Sequence, residues 1–332
     1  MPRIAINGFG RIGRHAFKVG FETKGFEVVA INDLTDAPTL AALLSRDTVY
    51  GGYFRKVKAT NNALFVDGKR ISVFAEKNPE ALPWKKLGVD LVLECTGRFT
   101  DEAGASLHLK AGAKKVLISA PGKGGDIPTY IMGVNHQDAK KDRHKIFNNG
   151  SCTTNSVAPV AAIIGESFGV KKAMLSTVHA YTADQNLQDG PHKDLRRARA
   201  AAGNIVPTTT GAAISVTEAL PELKGKFDGT AFRVPVIVGS LTDFTFVLKK
   251  RTTVALVNAA FKKAARSPRW RGILEVTEEP LVSSDIVGTT ASAIVDLGLT
   301  KVVDGDLLKV VAWYDNEWAY AHRLVEMAFA VS

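Results

Sequence analysis

Cysteine is almost lacking: Cys95 and Cys152 are the two in 332 residues. That is no disulfide framework, so a reducing compartment is expected. Neither cysteine stands in a metal-ligand spacing, which argues against a zinc site. No apolar run reaches the roughly 20 residues that span a bilayer, so no membrane role is expected. The opening MPRIAING lacks the layout of a secretory leader and passes directly into a strand pattern, which fits a cytoplasmic protein. Internal repeats, low-complexity linkers and zinc-finger, RNP or homeodomain signatures are also lacking. The net charge of +10 is therefore not read as a need for nucleic acid. Its Lys and Arg residues are spread through KVK, KKLG, KAGAKK, AKKDRHK, KDLRRAR and LKKR. A solvated surface with some anion-binding positions explains them, and an acidic or phosphorylated small substrate fits as well.

What is present suggests two domains. RIAI (Arg3 to Ile6), FEVVAIND, VDLVLECTG and KKVLISAP read as buried parallel strands. Helical patterns such as RIGRHAFKVGFE and DEAGASLHLKAGA lie between them. This alternation predicts an α/β protein with an N-terminal Rossmann-type, doubly wound parallel sheet over residues 1–150. After Cys152 the strands become longer and richer in β-branched and aromatic residues, as in KKAMLSTVHAYT, GTAFRVPVI, LTDFTFVLKK and LLKVVAWYD. They predict an α+β catalytic domain with a mixed sheet over residues 151–315. Residues 316–332 read as one helix. The boundary near residue 150 falls at the cysteine itself, and active sites often sit between domains.

INGFGRIGR sets Gly8, Gly10 and Gly13 in G-x-G-x-x-G spacing after a predicted strand and at the opening of a predicted helix. Asp33 follows Gly13 by 20 residues, at the end of the second strand. This is the context of a dinucleotide-binding fingerprint. Gly8 permits the tight turn, Gly10 lets the backbone approach a pyrophosphate, and Gly13 lets helix and strand pack. The helix start offers N–H groups to the phosphates. Asp33 is expected to bind ribose hydroxyls and to repel a 2′-phosphate, favouring NAD over NADP.

Cys152 precedes a helical pattern whose apolar run begins at Val157. A helix start favours a thiolate. His179, near the end of KKAMLSTVHA, is the candidate base. The other histidines, His15, His108, His136, His144, His192 and His322, fall in charged or helical surroundings and read as surface or packing residues. Cys95 reads as a buried small hydrophobe. Hydroxyls at Ser151, Thr153 and Thr154, the PTTTGAA cluster, and the guanidinium groups of Arg196, Arg197, Arg199 and Arg233 form an anion-binding kit.

INGFGRIGR, INDLTD, SCTTNS, HAYTADQ, PHKDLRRARAAAGNIVPTTTGAA, LPELKGK, RVP and WYDNEWAYAHR occur in this order along almost the full chain. The sequence thereby resembles the phosphorylating glyceraldehyde-3-phosphate dehydrogenases of bacterial type. The resemblance implies oxidation of D-glyceraldehyde 3-phosphate to 1,3-bisphosphoglycerate with NAD and inorganic phosphate, in glycolysis, by a cytoplasmic homotetramer. Cys152 would be the nucleophile and His179 its base. Thr182 and Arg233 would hold the substrate phosphate. Ser151, Thr153, Arg197, Thr210 and Gly211 would line the site of the attacking phosphate. Gly8, Phe9, Gly10, Arg11, Ile12, Gly13, Asp33, Lys77, Thr96, Gly97, Ser119, Asn316 and Tyr320 would contact NAD. The last helix would return to the cofactor domain. The backbone N–H of Cys152, at the helix start, is expected to donate to the oxyanion.

The sequence departs from the family pattern at Ile214, usually Lys, and at Val236 to Gly239, where Thr-Pro-Asn-Val is usual. Lys77, Ala319 and His322 also differ from it. Leu34, Thr35 and Pro191 look like the NAD-specific form. The nearest rival reading is erythrose-4-phosphate dehydrogenase, which releases a free acid. A partner- or RNA-binding platform and an inactive paralogue are further alternatives.

Overall fold

Short runs buried on both sides build the first sheet. In the computed structural model, which describes residues 1–332, the strands Arg3–Asn7, Glu27–Asn32, Lys69–Phe74, Leu91–Glu94, Lys115–Ile118 and Ile146–Asn148 run parallel. Ile4, Ala5, Ile6, Leu91, Val92 and Leu93 are fully buried. Such continuous apolar character marks strands with helices on both faces. Arg3–Asn7 lies between Glu27–Asn32 on one side and Leu91–Glu94 on the other. The connections thus diverge at its carboxyl end, where open α/β sheets bind ligands.

The sheet is not purely parallel, contrary to the sequence expectation. Val57–Thr60 and Ala63–Val66 add an antiparallel meander beside Lys69–Phe74. The signal was a two-residue turn, Asp67–Gly68, with φ of 48° and 84°. Asp-Gly with both residues at positive φ is a favoured hairpin connection.

The chain divides into two units. The first holds Met1–Tyr130, Asn135–Gly150 and Ala321–Ser332. Within it Phe329 of the last helix meets Phe26 edge-on at 5.7 Å, and the Val331 carbonyl accepts from Lys115 Nζ. The second unit holds Ile131–Val134 and Ser151–Tyr320. Its seven-strand core is mixed: Val170–Ala180 pairs parallel with Phe227–Val234 and antiparallel with Ser240–Leu248, which continues to Leu307–Tyr314. The helix Cys152–Phe168 buries Val157, Val160, Ala161 and Ile164 in one core with Phe244, Phe246 and Val310 of the sheet. The chain enters the second unit twice, and the last helix, Trp318–Val331, is shared between the two units at Tyr320/Ala321.

Candidate functional site

In the first unit the three glycines have distinct roles. Gly8 takes φ +90°, and a Cβ there would lie 2.7 Å from Thr96 N. A Cβ on Gly13 would lie 2.0 Å from the Gly8 carbonyl oxygen. Around Gly10 nothing lies within 4 Å of a Cβ position. Gly10 caps the helix Arg11–Glu22 with no side-chain hydrogen bond to its first N–H groups. An uncapped helix start beneath an open backbone is an anion cradle. It opens on a cleft of about 780 Å³ lined by Gly8, Gly10, Asp33, Lys77, Thr96 and Arg98 among others.

Asp33 ends the second strand's turn with both oxygens engaged. Oδ2 accepts from Phe9 N at 2.7 Å and Oδ1 from Thr35 N at 3.0 Å. Each oxygen keeps acceptor capacity for a ribose hydroxyl. Arg11 begins the helix beside Ile12 and pairs with Asp47. Gly97 takes φ +70° in the turn after Leu91–Glu94. Ser119 follows Lys115–Ile118, and its hydroxyl bonds the Cys95 sulfur, whose thiol burial pushes up to about 12. These residues fit the pyrophosphate and ribose of a dinucleotide.

In the second unit a reciprocal cap places the thiol. Ser151 Oγ accepts from Thr154 N at 3.0 Å, and Thr154 Oγ1 accepts from Ser151 N at 3.1 Å. Cys152 is therefore the first residue inside the helix. His179 stands one residue from the end of its strand, in register with Arg233 of the parallel neighbour. Cys152 Sγ lies 3.4 Å from His179 Nε2. Ala180 O accepts from Nδ1 at 2.7 Å, while Arg233 Nη1 lies 2.5 Å from the same Nδ1 and 3.2 Å from that oxygen. Nδ1 cannot donate to one and accept from the other. The carbonyl has no proton to give, whereas the guanidinium can turn to it, so Nδ1 keeps the proton. Nε2 then presents a lone pair to the sulfur.

Burial pushes the Cys152 thiol up, opposed by the Arg233 charge and by Thr153. Burial and the Arg233 charge push the His179 imidazole down to about 3. A charge on either group alone is thus disfavoured. The contact lets both charges form together as Sγ passes its proton to Nε2, and the pair titrates as a unit. Burial outweighs the pull of the helix start on the sulfur, so the thiol depends on His179 as its base.

The remaining anion residues are placed as follows. Arg197 directs Nε and Nη2 to Thr208 Oγ1, at 2.9 and 2.7 Å, and Nη1 to Asp184. Arg197 and Asp184 lie within electrostatic reach of Arg233. Thr182 N donates to Gln185 Oε1 at 3.4 Å. Thr210 Oγ1 accepts from Ala212 N at 3.1 Å, and Gly211 caps Ala212–Ala219 with no side-chain bond. The hydroxyls of Ser151 and Thr153 face Thr154 and Tyr314. Asn316 Oδ1 accepts from Gly239 N and Ser240 Oγ, at 3.2 and 2.9 Å, which orients its amide. Tyr320 is buried.

Three residues escaped the sequence reading. Tyr314 OH meets Thr153 Oγ1 at 2.9 Å and Thr177 Oγ1 at 3.0 Å, and its ring lies edge-on to His179. A tyrosine closing a largely apolar strand was the available signal. Asp184 holds Arg197, and an acidic residue in HAYTADQ hinted at it. His108, set aside as surface or packing, is fully buried in a polar network.

Residues 2–102 match a family model described as glyceraldehyde 3-phosphate dehydrogenase, NAD binding domain, and residues 151–316 match the C-terminal domain of that family. The chain is 52% identical to glyceraldehyde-3-phosphate dehydrogenase 1 of Bacillus cereus, over 99% of this chain and 98% of that protein. It is 53% identical to glyceraldehyde-3-phosphate dehydrogenase of Geobacillus stearothermophilus, over 98% and 97%. To that of Borreliella burgdorferi it is 50% identical, over 98% of each. With both of its units matched and such relatives spanning nearly its whole length, the chain belongs to the glyceraldehyde-3-phosphate dehydrogenase family.

Proposed function

We propose that the protein oxidises D-glyceraldehyde 3-phosphate to 1,3-bisphosphoglycerate with NAD and inorganic phosphate, in glycolysis. The observation that carries this reading is the 3.4 Å contact of Cys152 Sγ with His179 Nε2 at a helix start. Sγ gives its proton to Nε2 and attacks the aldehyde carbon, forming a thiohemiacetal. The Cys152 N–H, at the helix start, donates to the new oxyanion. The imidazolium returns that proton to the oxygen, completing the thiohemiacetal, and Nε2 takes it back as the carbon is oxidised to a thioester. NAD, held by the Gly8–Gly13 cradle and Asp33, supplies a hydride acceptor when bound. Inorganic phosphate cleaves the thioester, giving an acyl phosphate and restoring the thiol. Arg233 and Thr182 hold the substrate phosphate. Arg197, Ser151, Thr153, Thr210 and Gly211 serve the attacking one. Two groups of anion residues suit two phosphates.

No helix is long and apolar enough to cross a membrane. A homotetramer of the cytoplasm, with no need of nucleic acid, follows from the family resemblance and is checked by sedimentation. The deciding experiment follows NADH formation with and without inorganic phosphate, for the wild type and Cys152→Ser. Phosphate-dependent turnover, lowered by about three orders of magnitude or more in the variant, is expected. Phosphate-independent turnover to a free acid would favour the erythrose-4-phosphate type. An unaffected serine variant would end the covalent mechanism.

A further inference from the structure

A buried hydrogen-bond relay runs along the carboxyl ends of the first sheet. It begins on backbone, where polarity is not negotiable. Glu76 N donates to Asn32 Oδ1 and the Glu76 carbonyl accepts from Asn32 Nδ2, both at 2.9 Å. This fixes the Asn32 amide. Its Nδ2 donates to Asn7 Oδ1 at 2.7 Å, so Asn7 Nδ2 must donate onward, to Glu94 Oε2 at 2.5 Å. A second arm arrives from the other side. Trp84 Nε1, which can only donate, gives its hydrogen bond to His108 Nδ1 at 3.0 Å. The ring proton therefore sits on Nε2, which donates to the same Glu94 Oε2 at 3.0 Å. Glu94 Oε1 accepts from Thr96 N at 2.8 Å and from the Thr96 hydroxyl.

Donors thus converge on Glu94 from every side, and Asn7, His108 and Thr96 N have no second orientation. Only a group that accepts at both ends satisfies them, and a carboxylate does. Glu94 is 1% exposed and is not among the residues lining the cleft. What it holds is Thr96, which lines the dinucleotide cleft and packs against Gly8. We infer that Glu94 is a positioning residue for the dinucleotide: two relays of fixed direction orient its carboxylate, and the carboxylate sets Thr96 in the wall of the cleft. The inference rests on reading that cleft as the NAD site.

Glu94→Gln keeps the shape but turns an NH₂ group against donors. Calorimetric titration of the full-length protein with NAD is expected to show affinity about tenfold weaker, the cost of one buried mismatch. KM for NAD should rise in step, with kcat at saturating NAD within about twofold. In the wild type, ¹⁵N NMR of His108 should place the proton on Nε2. NAD affinity within about twofold of wild type, or a proton on Nδ1, would overturn the inference. Should Glu94→Gln not fold, Trp84→Phe decides. It frees Nδ1 far from the ligand, and a few-fold loss of NAD affinity with a mixed His108 tautomer is expected; unchanged affinity would overturn the inference. A wild-type protein that binds no NAD would instead overturn the reading of the cleft.

Discussion

Arg233 Nη1 lies 2.5 Å from Nδ1 of His179, so the cation proposed for the substrate phosphate also stands against the back of the base. Its charge is the second cause, after burial, of the depressed imidazole. A phosphate dianion arriving on Arg233 offsets that charge and makes His179 more basic when the substrate is in place.

Replacing Arg233 by Gln therefore has two separable effects. KM for the phosphorylated substrate should rise about tenfold to hundredfold, the scale of lost charge-assisted hydrogen bonds. The imidazole, now relieved of a neighbouring cation, should titrate higher than about 3. Activity that needs a neutral Nε2 is lost as pH falls through that value, so the acid limb of kcat/KM against pH moves to higher pH. An acid limb that stays in place would show that Arg233 does not tune the base.

Asp33 carries the coenzyme prediction. Its carboxylate is the nearest charge at the end of the second strand and is anchored by the Phe9 and Thr35 N–H groups. The wild type should therefore use NAD far better than NADP. Asp33→Ala should lower the ratio of kcat/KM for NAD over NADP by about tenfold or more, by removing both an acceptor and a repulsive charge. Equal efficiency with both coenzymes in the wild type would contradict the role given to Asp33.

Asp47 yields a prediction of stability against pH. Burial pushes this carboxyl up, but the Arg11 guanidinium and the Tyr50 and Val49 N–H groups overcome it and hold it at about 2 instead of 3.8. Its contribution is present above the unfolded value and is lost as pH falls through the folded one. Asp47→Asn should cost about 1–3 kcal/mol at pH 7 and close to nothing near pH 2. Urea unfolding at the two pH values measures the difference; an equal cost at both would refute the assignment.

The fold was legible where local pattern and tertiary burial agree. Ile4 to Ile6 and Leu91 to Leu93 are apolar without alternation because both faces of the sheet are covered, and the G-x-G-x-x-G turn needs its glycines for backbone reasons alone. Cys152 was legible as well, since it stands directly before a helical pattern whose apolar run begins at Val157. The antiparallel meander was not, because VKAT and ALFV are short and the Asp67–Gly68 turn marks only the step from ALFV to KRISVF. Nor was the tuning of the thiol. That depends on Arg233 reaching His179 across two parallel strands, a register no local pattern encodes. The buried network around His108 was not legible either: its flanking residues are Leu107 and Leu109, whereas its polar partners, Trp84 and Glu94, lie 24 and 14 residues away.

The three cradle glycines should behave differently when each is changed to alanine. At Gly13 the new Cβ would press on the Gly8 backbone carbonyl at 2.0 Å, and Gly8→Ala would combine a φ of +90° with a 2.7 Å contact to Thr96 N. Both variants should lose about 1–3 kcal/mol or more, through strain and overpacking. Gly10 has φ −70° and open space around its Cβ position. Gly10→Ala should therefore fold with a melting temperature close to that of the wild type, since alanine restricts the unfolded chain but is a poorer N-cap than glycine. Its methyl group, though, would stand where the pyrophosphate must come close, so NAD affinity should fall by about tenfold or more. Melting temperature and NAD titration on the three variants separate packing from ligand approach. A Gly10→Ala protein that binds NAD as the wild type does would place the pyrophosphate elsewhere.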